Sequence, residues 1–196
     1  MSFEDIGPSA GRFPDAGTPE AVADDGREYN GMTPHTPVDA RHATGGPDLA
    51  YAARVFTECL GWPVSVDATR QRLITRTGEV FDALIVPRDL AEPVAHGLRS
   101  TRLAGPVSRD DDGRWWTFYT ELCDQVINLP SDLRAARVHA VPRGGQLVIP
   151  PISSGSLWWA PPRRGQALPP WSGVVAATGR IARRLSRRGT TQPSRA

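Results

Sequence analysis

The chain has 196 residues and a formal net charge of +2, and this length suffices for one domain of ordinary size with a buried core. The acidic stretch Met1–Gly17 lacks an apolar segment, and no later stretch approaches the length of a membrane span. The composition therefore excludes a signal peptide and a transmembrane helix, and we expect a cytoplasmic protein with no membrane partner. Cys59 and Cys123 stand in unrelated contexts, which predicts neither a disulfide framework nor a cysteine metal site.

Charge is distributed unevenly along the chain. Residues 1–46 hold more acidic than basic side chains and few large apolar ones, so we predict a disordered acidic tail. Residues 47–186 form the predicted domain, and residues 187–196 a disordered basic tail. Every basic residue is an arginine. Arginine suits phosphate recognition, but a codon bias toward GC-rich DNA explains its use equally well.

The first half of the domain predicts one helix and three strands. Apolar residues recur at helical spacing before Gly61, a glycine placed as a helix C-cap, and this pattern places Cys59 in the core. Val64–Asp67 and Leu73–Thr77 are predicted strands. The almost continuously apolar Val80–Val86 is predicted as the central strand, covered on both faces. The residues with helical spacing are Leu49, Ala52, Ala53, Phe56, Cys59 and Leu60.

The next elements are a helix, a hairpin and a short helix. Asp89 is placed as the N-cap of the first helix, whose buried face carries Leu90, Val94 and Leu98. A strand opening at Val107 is followed by a turn at residues 110–113 and by an aromatic strand over residues 114–121. A short helix begins near Ser131.

Residues 138–162 organise the rest of the chain. His139–Val141 and Gln146–Ile149 are predicted to pair across a Gly-Gly turn, followed by a strand that carries Trp158 and Trp159 on opposite faces. Ser172 caps a last helix with one apolar face and an arginine-rich remainder. We therefore predict an α+β fold: a mostly antiparallel sheet with helices on its faces.

Three of these segments resemble the N-terminal domain of bifunctional DNA primase/polymerases: residues 73–78, residues 81–87, and the Gly-Gly turn with the strands that follow it up to Trp159. The resemblance covers roughly residues 48–185. It implies a primase/polymerase-like sheet related to the RRM core. It also implies a nucleic-acid or nucleotide ligand.

The central strand departs from the family pattern. Two-metal nucleotidyl transfer needs two acids aimed at the same pair of ions, and the family places them as Asp-x-Asp. Here Asp82 stands alone on that strand and is followed by Ala83. The resemblance thus implies a catalytically inactive form, with Asp82 and His139 in the catalytic positions and no metal site. Its phosphate contacts would be Arg143, Arg163, Arg164, Arg183 and Arg184.

Two other hypotheses remain open. The protein could be a non-enzymatic regulator or scaffold that binds a protein partner, or a second copy of itself, through the sheet face bearing Trp158 and Trp159. It could also be an active nucleotidyltransferase, which alone would require Mg²⁺. No other cofactor is expected.

Overall fold

The computed structural model describes residues 48–125 and 127–189. The predicted acidic tail, residues 1–46, lies outside the described residues, as do residues 190–196. Helices and antiparallel strands are mixed, which confirms the α+β class. The last helix continues to Gly189, beyond the predicted domain boundary at residue 186. Among the described helices, none combines the length and hydropathy needed to cross a bilayer.

The chain alternates short helices and short strands. The helices are α1 Leu49–Arg54, α2 Arg88–Ser100, α3 Ser131–Ala135 and α4 Trp171–Gly189, with a π-helical turn at Val55–Cys59 and a 3₁₀ turn at Gly155–Leu157. The strands are β1 Val64–Asp67, β2 Arg72–Arg76, β3 Asp82–Pro87, β4 Val107–Arg109, β5 Trp115–Thr120, β6 His139–Ala140, β7 Gln146–Ile149 and β8 Trp158–Ala160. Most of these elements fall where the sequence predicts them.

The strands form two sheets. The small sheet has three strands in the order β1-β2-β7, and the large sheet has five in the order β6-β3-β5-β4-β8. All pairings are antiparallel. The apolar strand predicted as central is β3; it begins at Asp82 and lies inside the large sheet, whose middle strand is β5.

The predicted hairpin between His139–Val141 and Gln146–Ile149 is wrong. β6 pairs with β3 in the large sheet, whereas β7 pairs with β2 in the small sheet. Val141 N–H donates to Ala83 O (3.0 Å) in the large sheet, and the turn itself is bonded to Thr77. The N–H of Thr77 donates to Gly145 O (3.1 Å), its carbonyl accepts from Gly144 N (2.8 Å), and its hydroxyl donates to Pro142 O (2.7 Å). The turn thus crosses from one sheet to the other.

Glycine is required in this crossing turn. Gly144 has φ +75°, a region that side chains disfavour. A Cβ on Gly145 would lie 2.7 Å from Pro142 O. The sequence predicts a tight Gly-Gly turn correctly, but the turn serves another connection.

Two cores lie on opposite faces of the large sheet. Leu84 and Val86 face α2 and α4, while Ala83 and Ile85 face the small sheet, as strand alternation requires. Trp158 and Trp159 separate in the same way, as predicted. Trp158 is 5% exposed and Trp159 packs against the helix-side core. Neither is a free ring on the surface.

Three helix details differ from the prediction. Cys59 is exposed rather than buried, because the π-helical turn after α1 shifts the helical phase. Gly61, by contrast, agrees with the prediction, because its φ of +70° is what a C-cap glycine requires. α2 begins at Arg88 with Pro87 at its N-cap, so Asp89 lies in the first turn. α4 begins at Trp171, before the predicted Ser172 cap.

Tyr119 lies in the core between the two sheets, and the ionisation of its hydroxyl allows this burial to be tested. Its ring is fully buried and its hydroxyl pairs with Ser108 Oγ at 3.0 Å. Burial raises the pKa of Tyr119 far above its usual range. The unfolded state therefore loses this proton first, near pH 10, and we expect stability to fall as pH rises beyond that value.

Tyr119→Phe removes this ionisation, so the variant should lose less stability than the wild type above about pH 10. At neutral pH it should be less stable by roughly 0.5–1.5 kcal/mol, because the Ser108 hydroxyl loses its partner. Urea unfolding across a pH series measures both effects. Parallel curves for the two proteins would contradict the assignment.

Candidate functional site

Asp82 is a buried support rather than an exposed ligand. It begins β3 and is 0% exposed. Its Oδ2 accepts a hydrogen bond from Cys123 N at 2.7 Å, whereas its Oδ1 is buried and has no donor among the described residues. Alternation places its side chain on the same face as Leu84, toward the helices. The carboxylate therefore holds the chain after β5 in place.

The structure brings Arg143 close to Asp82 through the same peptide. The exposed Arg143 follows β6, and its Nη2 donates to the carbonyl of Cys123. Its aliphatic stem passes over Gly78, where a Cβ would lie only 2.9 Å from Arg143 Cβ. Asp82 and Arg143 thus bind the N–H and the carbonyl of Cys123, yet they form no ion pair with each other.

A surface cavity of about 460 Å³ adjoins Arg143. Its lining is Asp124, Gln125, Ile127, Ala140, Pro142 and Arg143. Asp82 is not among these residues, so the cavity does not expose the carboxylate predicted to be catalytic. The predicted phosphate contact and the predicted acid are neighbours without sharing an accessible site.

His139 lies apart from Asp82. It pairs with Ile85 across β6 and β3 and therefore shares the face of Ile85, opposite to that of Asp82. Three residues along a strand also separate the two positions by about 10 Å. The predicted catalytic pair is thus not assembled.

His139 belongs instead to an aromatic and basic cluster. Its ring centroid lies 5.7 Å from that of the half-buried Trp115. The guanidinium carbon of the exposed Arg137 lies 5.7 Å from the Trp115 ring centroid. We call Trp115, His139 and Arg137 the Trp115 platform. Its three members come from β5, β6 and the turn after α3.

A groove opens between the two sheets beside this platform. At one end the sheets are packed together by Trp62, Phe81 and Tyr119, whose rings lie 4.6–5.3 Å apart. At the other end they leave a cavity of about 750 Å³, which we call the inter-sheet groove. Its large-sheet wall includes Ile85, Ser108, Trp115 and Thr117, and its small-sheet wall includes Arg72, Leu73, Gln146, Leu147, Val148 and Ile149.

Charges of both signs line the inter-sheet groove. Arg70, Arg72 and Arg109 contribute three positive charges, against two negative charges from Asp110 and Asp111. Asp67, which is paired with Arg70 and Arg72 just outside the lining, brings the charges around the groove into balance.

Asp67 fixes two of these arginines, at 3.1 Å from Arg72 Nε and 3.8 Å from Arg70 Nη1. Burial works to raise the pKa of Asp67, but the hydrogen bonds and charges of Arg70 and Arg72 outweigh it. The pKa of Asp67 is therefore lowered.

The other predicted phosphate contacts do not join this site. Arg163 and Arg164 are exposed after β8, at the opposite edge of the large sheet from β6 and Arg143. Four strand spacings separate these edges, about 19 Å. Arg183 on α4 is paired with Asp132 at 2.9 Å, and Arg184 is exposed on the same helix.

The Trp115 platform was not predicted from the sequence, although the alternation along β5 indicates part of it. Alternation along β5 puts Trp115, Thr117 and Tyr119 on one face. The neighbouring His139 and Arg137 follow only from the order of strands, which no local pattern reveals. Within residues 48–125 and 127–189, no three His, Cys, Asp or Glu side chains gather as metal ligands would.

Comparison with known proteins adds no relative. No protein-family model matches the chain, and neither do curated proteins or solved structures. The resemblance to the primase/polymerase domain thus stays a hypothesis based on the sequence motifs. Function must be inferred from the groove, the platform and the buried carboxylate.

The support role of Asp82 predicts a contrast between two variants. Asp82→Ala leaves Cys123 N–H without an acceptor and should cost roughly 1–3 kcal/mol of unfolding free energy. Asp82→Asn retains an acceptor oxygen, so the Cys123 amide should keep its protection from hydrogen exchange. Exchange measured by NMR distinguishes them, with the exposed Asp111→Ala as control. Equal Cys123 protection in the Ala variant and the wild type would contradict the role.

Proposed function

We propose that this protein binds single-stranded nucleic acid, or a nucleotide, in the inter-sheet groove without catalysing nucleotidyl transfer. It would thus be an inactive primase/polymerase-like protein acting in the cytoplasm. The observation that carries the proposal is the Trp115 platform, a half-buried indole beside an imidazole and a guanidinium at the mouth of a large groove.

The platform offers the chemistry that unpaired bases use. Every base has a π-face that stacks on an aromatic ring, so such binding tolerates many sequences. Trp115 supplies the largest surface, and the His139 ring lies 5.7 Å away at an angle of 54°, where it can contact a stacked base from the side. Arg137, placed over the indole, can stack on a base or meet a phosphate. The groove volume of about 750 Å³ falls within the range of about 300–1,000 Å³ typical of ligand pockets.

The arginines along the groove suit a backbone of phosphates. Arg72 is held by Asp67 at 3.1 Å, which orients its guanidinium. Arg70 and Arg109 line the same groove. Neutralising phosphates with arginines releases counterions, so affinity should fall as salt rises. Asp110 and Asp111 limit the positive charge, so we expect a shallow salt dependence.

The position of Asp82 supports a non-catalytic role. Two-metal transfer requires carboxylates aimed at ions that the substrate also reaches. Asp82 is 0% exposed, is bonded to Cys123 N, and faces away from the groove. No cofactor is needed for stacking, and Mg²⁺ would be required only by the alternative, active enzyme.

We expect Trp115→Ala to weaken binding of a fluorescent oligothymidine roughly 5- to 150-fold, the loss of one stacked base. His139→Ala and Arg137→Ala replace exposed side chains and should weaken binding with less effect on folding. Fluorescence anisotropy at low ionic strength measures these affinities. Arg164→Ala, at the far edge of the large sheet, is the matched control.

Two results would overturn the proposal. Unchanged affinity in all three platform variants would remove the groove as the binding site. A loss confined to Arg163 or Arg164 variants would move the interface to the opposite sheet edge. Mg²⁺-dependent nucleotide incorporation by the wild type would disprove the non-catalytic part alone.

A further inference from the structure

A second, smaller cavity lies on the helix side of the large sheet. It has a volume of about 140 Å³ and sits where α2 begins beside the β4–β5 turn. Its lining is Arg88, Glu92, Arg109, Gly113 and Trp116. We call it the α2 pocket. Arg109 also lines the inter-sheet groove, but the other four residues do not.

Two buried hydrogen-bond donors belong to the side chains of this pocket. Trp116 is only 2% exposed, and its Nε1 finds no acceptor among the described residues. The Nε of Arg109 is also buried, and it too has no acceptor among the described residues. Leaving a buried donor without an acceptor costs about 1–3 kcal/mol. A bound water or ion is one way in which such groups are satisfied in folded proteins.

The guanidinium of Arg109 is held by two indoles. Its central carbon lies 4.6 Å from the Trp116 ring centroid and 5.2 Å from that of Trp159. Stacking uses the faces of the guanidinium and leaves its N–H groups free in the plane, where a forked acceptor binds. Arg109 forms no ion pair with any described carboxylate. The two indoles therefore fix its position, and the acidic Glu92 shares its pocket.

The beginning of α2 adds further positive character. The helix has 13 residues, and its N-cap, Pro87, makes no side-chain hydrogen bond to the first turn. The N–H groups of a first turn have no partners within the helix and carry partial positive charge; that of Arg88 already donates to Arg114 O at 2.8 Å. Arg88, the first helical residue, brings a second guanidinium to the pocket.

From these observations we infer that the α2 pocket binds one phosphate-sized oxyanion. A tetrahedral oxyanion offers several acceptors to two guanidinium groups and an indole N–H. The volume of about 140 Å³ suits one such group and not a whole nucleotide. The phosphate could be free in solution or could be the end of a nucleic-acid strand that leaves the groove at Arg109. The proposed oxyanion site does not depend on the proposed function, because its donors are not part of the Trp115 platform.

The indole N–H of Trp116 reports directly on this site. We expect its cross-peak in a ¹H–¹⁵N spectrum, identified by its absence in Trp116→Phe, to shift and saturate as inorganic phosphate is added. Chloride keeps the ionic strength constant. Arg88→Gln should weaken phosphate binding about tenfold, since it removes a charge-assisted hydrogen bond. Glu92→Gln should strengthen binding, because it removes the one acidic side chain among the described residues that line the pocket.

Arg99→Gln is the control, an exposed arginine in the last turn of the same helix. A Trp116 cross-peak that stays still during the titration would overturn the inference, and so would equal weakening by Arg88→Gln and Arg99→Gln. Titration with an oligothymidine that carries or lacks a 5′-phosphate distinguishes a strand end from free phosphate as the ligand. A shift with the phosphorylated strand assigns a strand end, and a shift with inorganic phosphate alone assigns the free ion. Loss of strand binding in platform variants with the phosphate response intact distinguishes this site from the groove.

Discussion

The bonds made by Thr77 determine how the two sheets are joined. Its side chain is fully buried, and its hydroxyl and both backbone groups bind the Pro142–Gly145 turn. Because of these bonds, β6 and β7 join different sheets although only five residues separate them. A hairpin at the same place would leave β2 and β3 without these neighbours.

The inter-sheet groove exists because aromatic side chains fill only one end of the space between the two sheets. Near the crossing turn, large aromatic rings occupy the space between them, and Tyr119 at the centre is fully buried. Toward the far end of β5, Thr117 replaces an aromatic residue, and the sheets face each other across open space. Trp115 stands at that open end, where its ring is only partly covered. The same strand thus closes one end of the space between the sheets and places a half-buried indole at the other.

Local patterns predicted the elements well and their partners poorly. The apolar run that became β3, the Asp-rich turn before β5 and the Trp158-Trp159 alternation are all local properties, and the structure confirms them. The pairing of β6 with β3 and the bond from Thr77 to the turn both join residues more than fifty positions apart. Asp82 was identified as important, but its burial depends on the distant Cys123. For the same reason the groove could not be inferred, because its two walls come from separate sheets.

Arg109 is shared between the inter-sheet groove and the α2 pocket. One guanidinium cannot adopt its best geometry for two ligands independently, since its position is set by the same pair of indoles. A groove ligand that contacts Arg109 would therefore change the free energy with which the α2 pocket binds its oxyanion. Thermodynamic linkage would make this influence mutual and equal in size. Through Arg109, the inner strand β4 would then couple the two proposed sites across the large sheet.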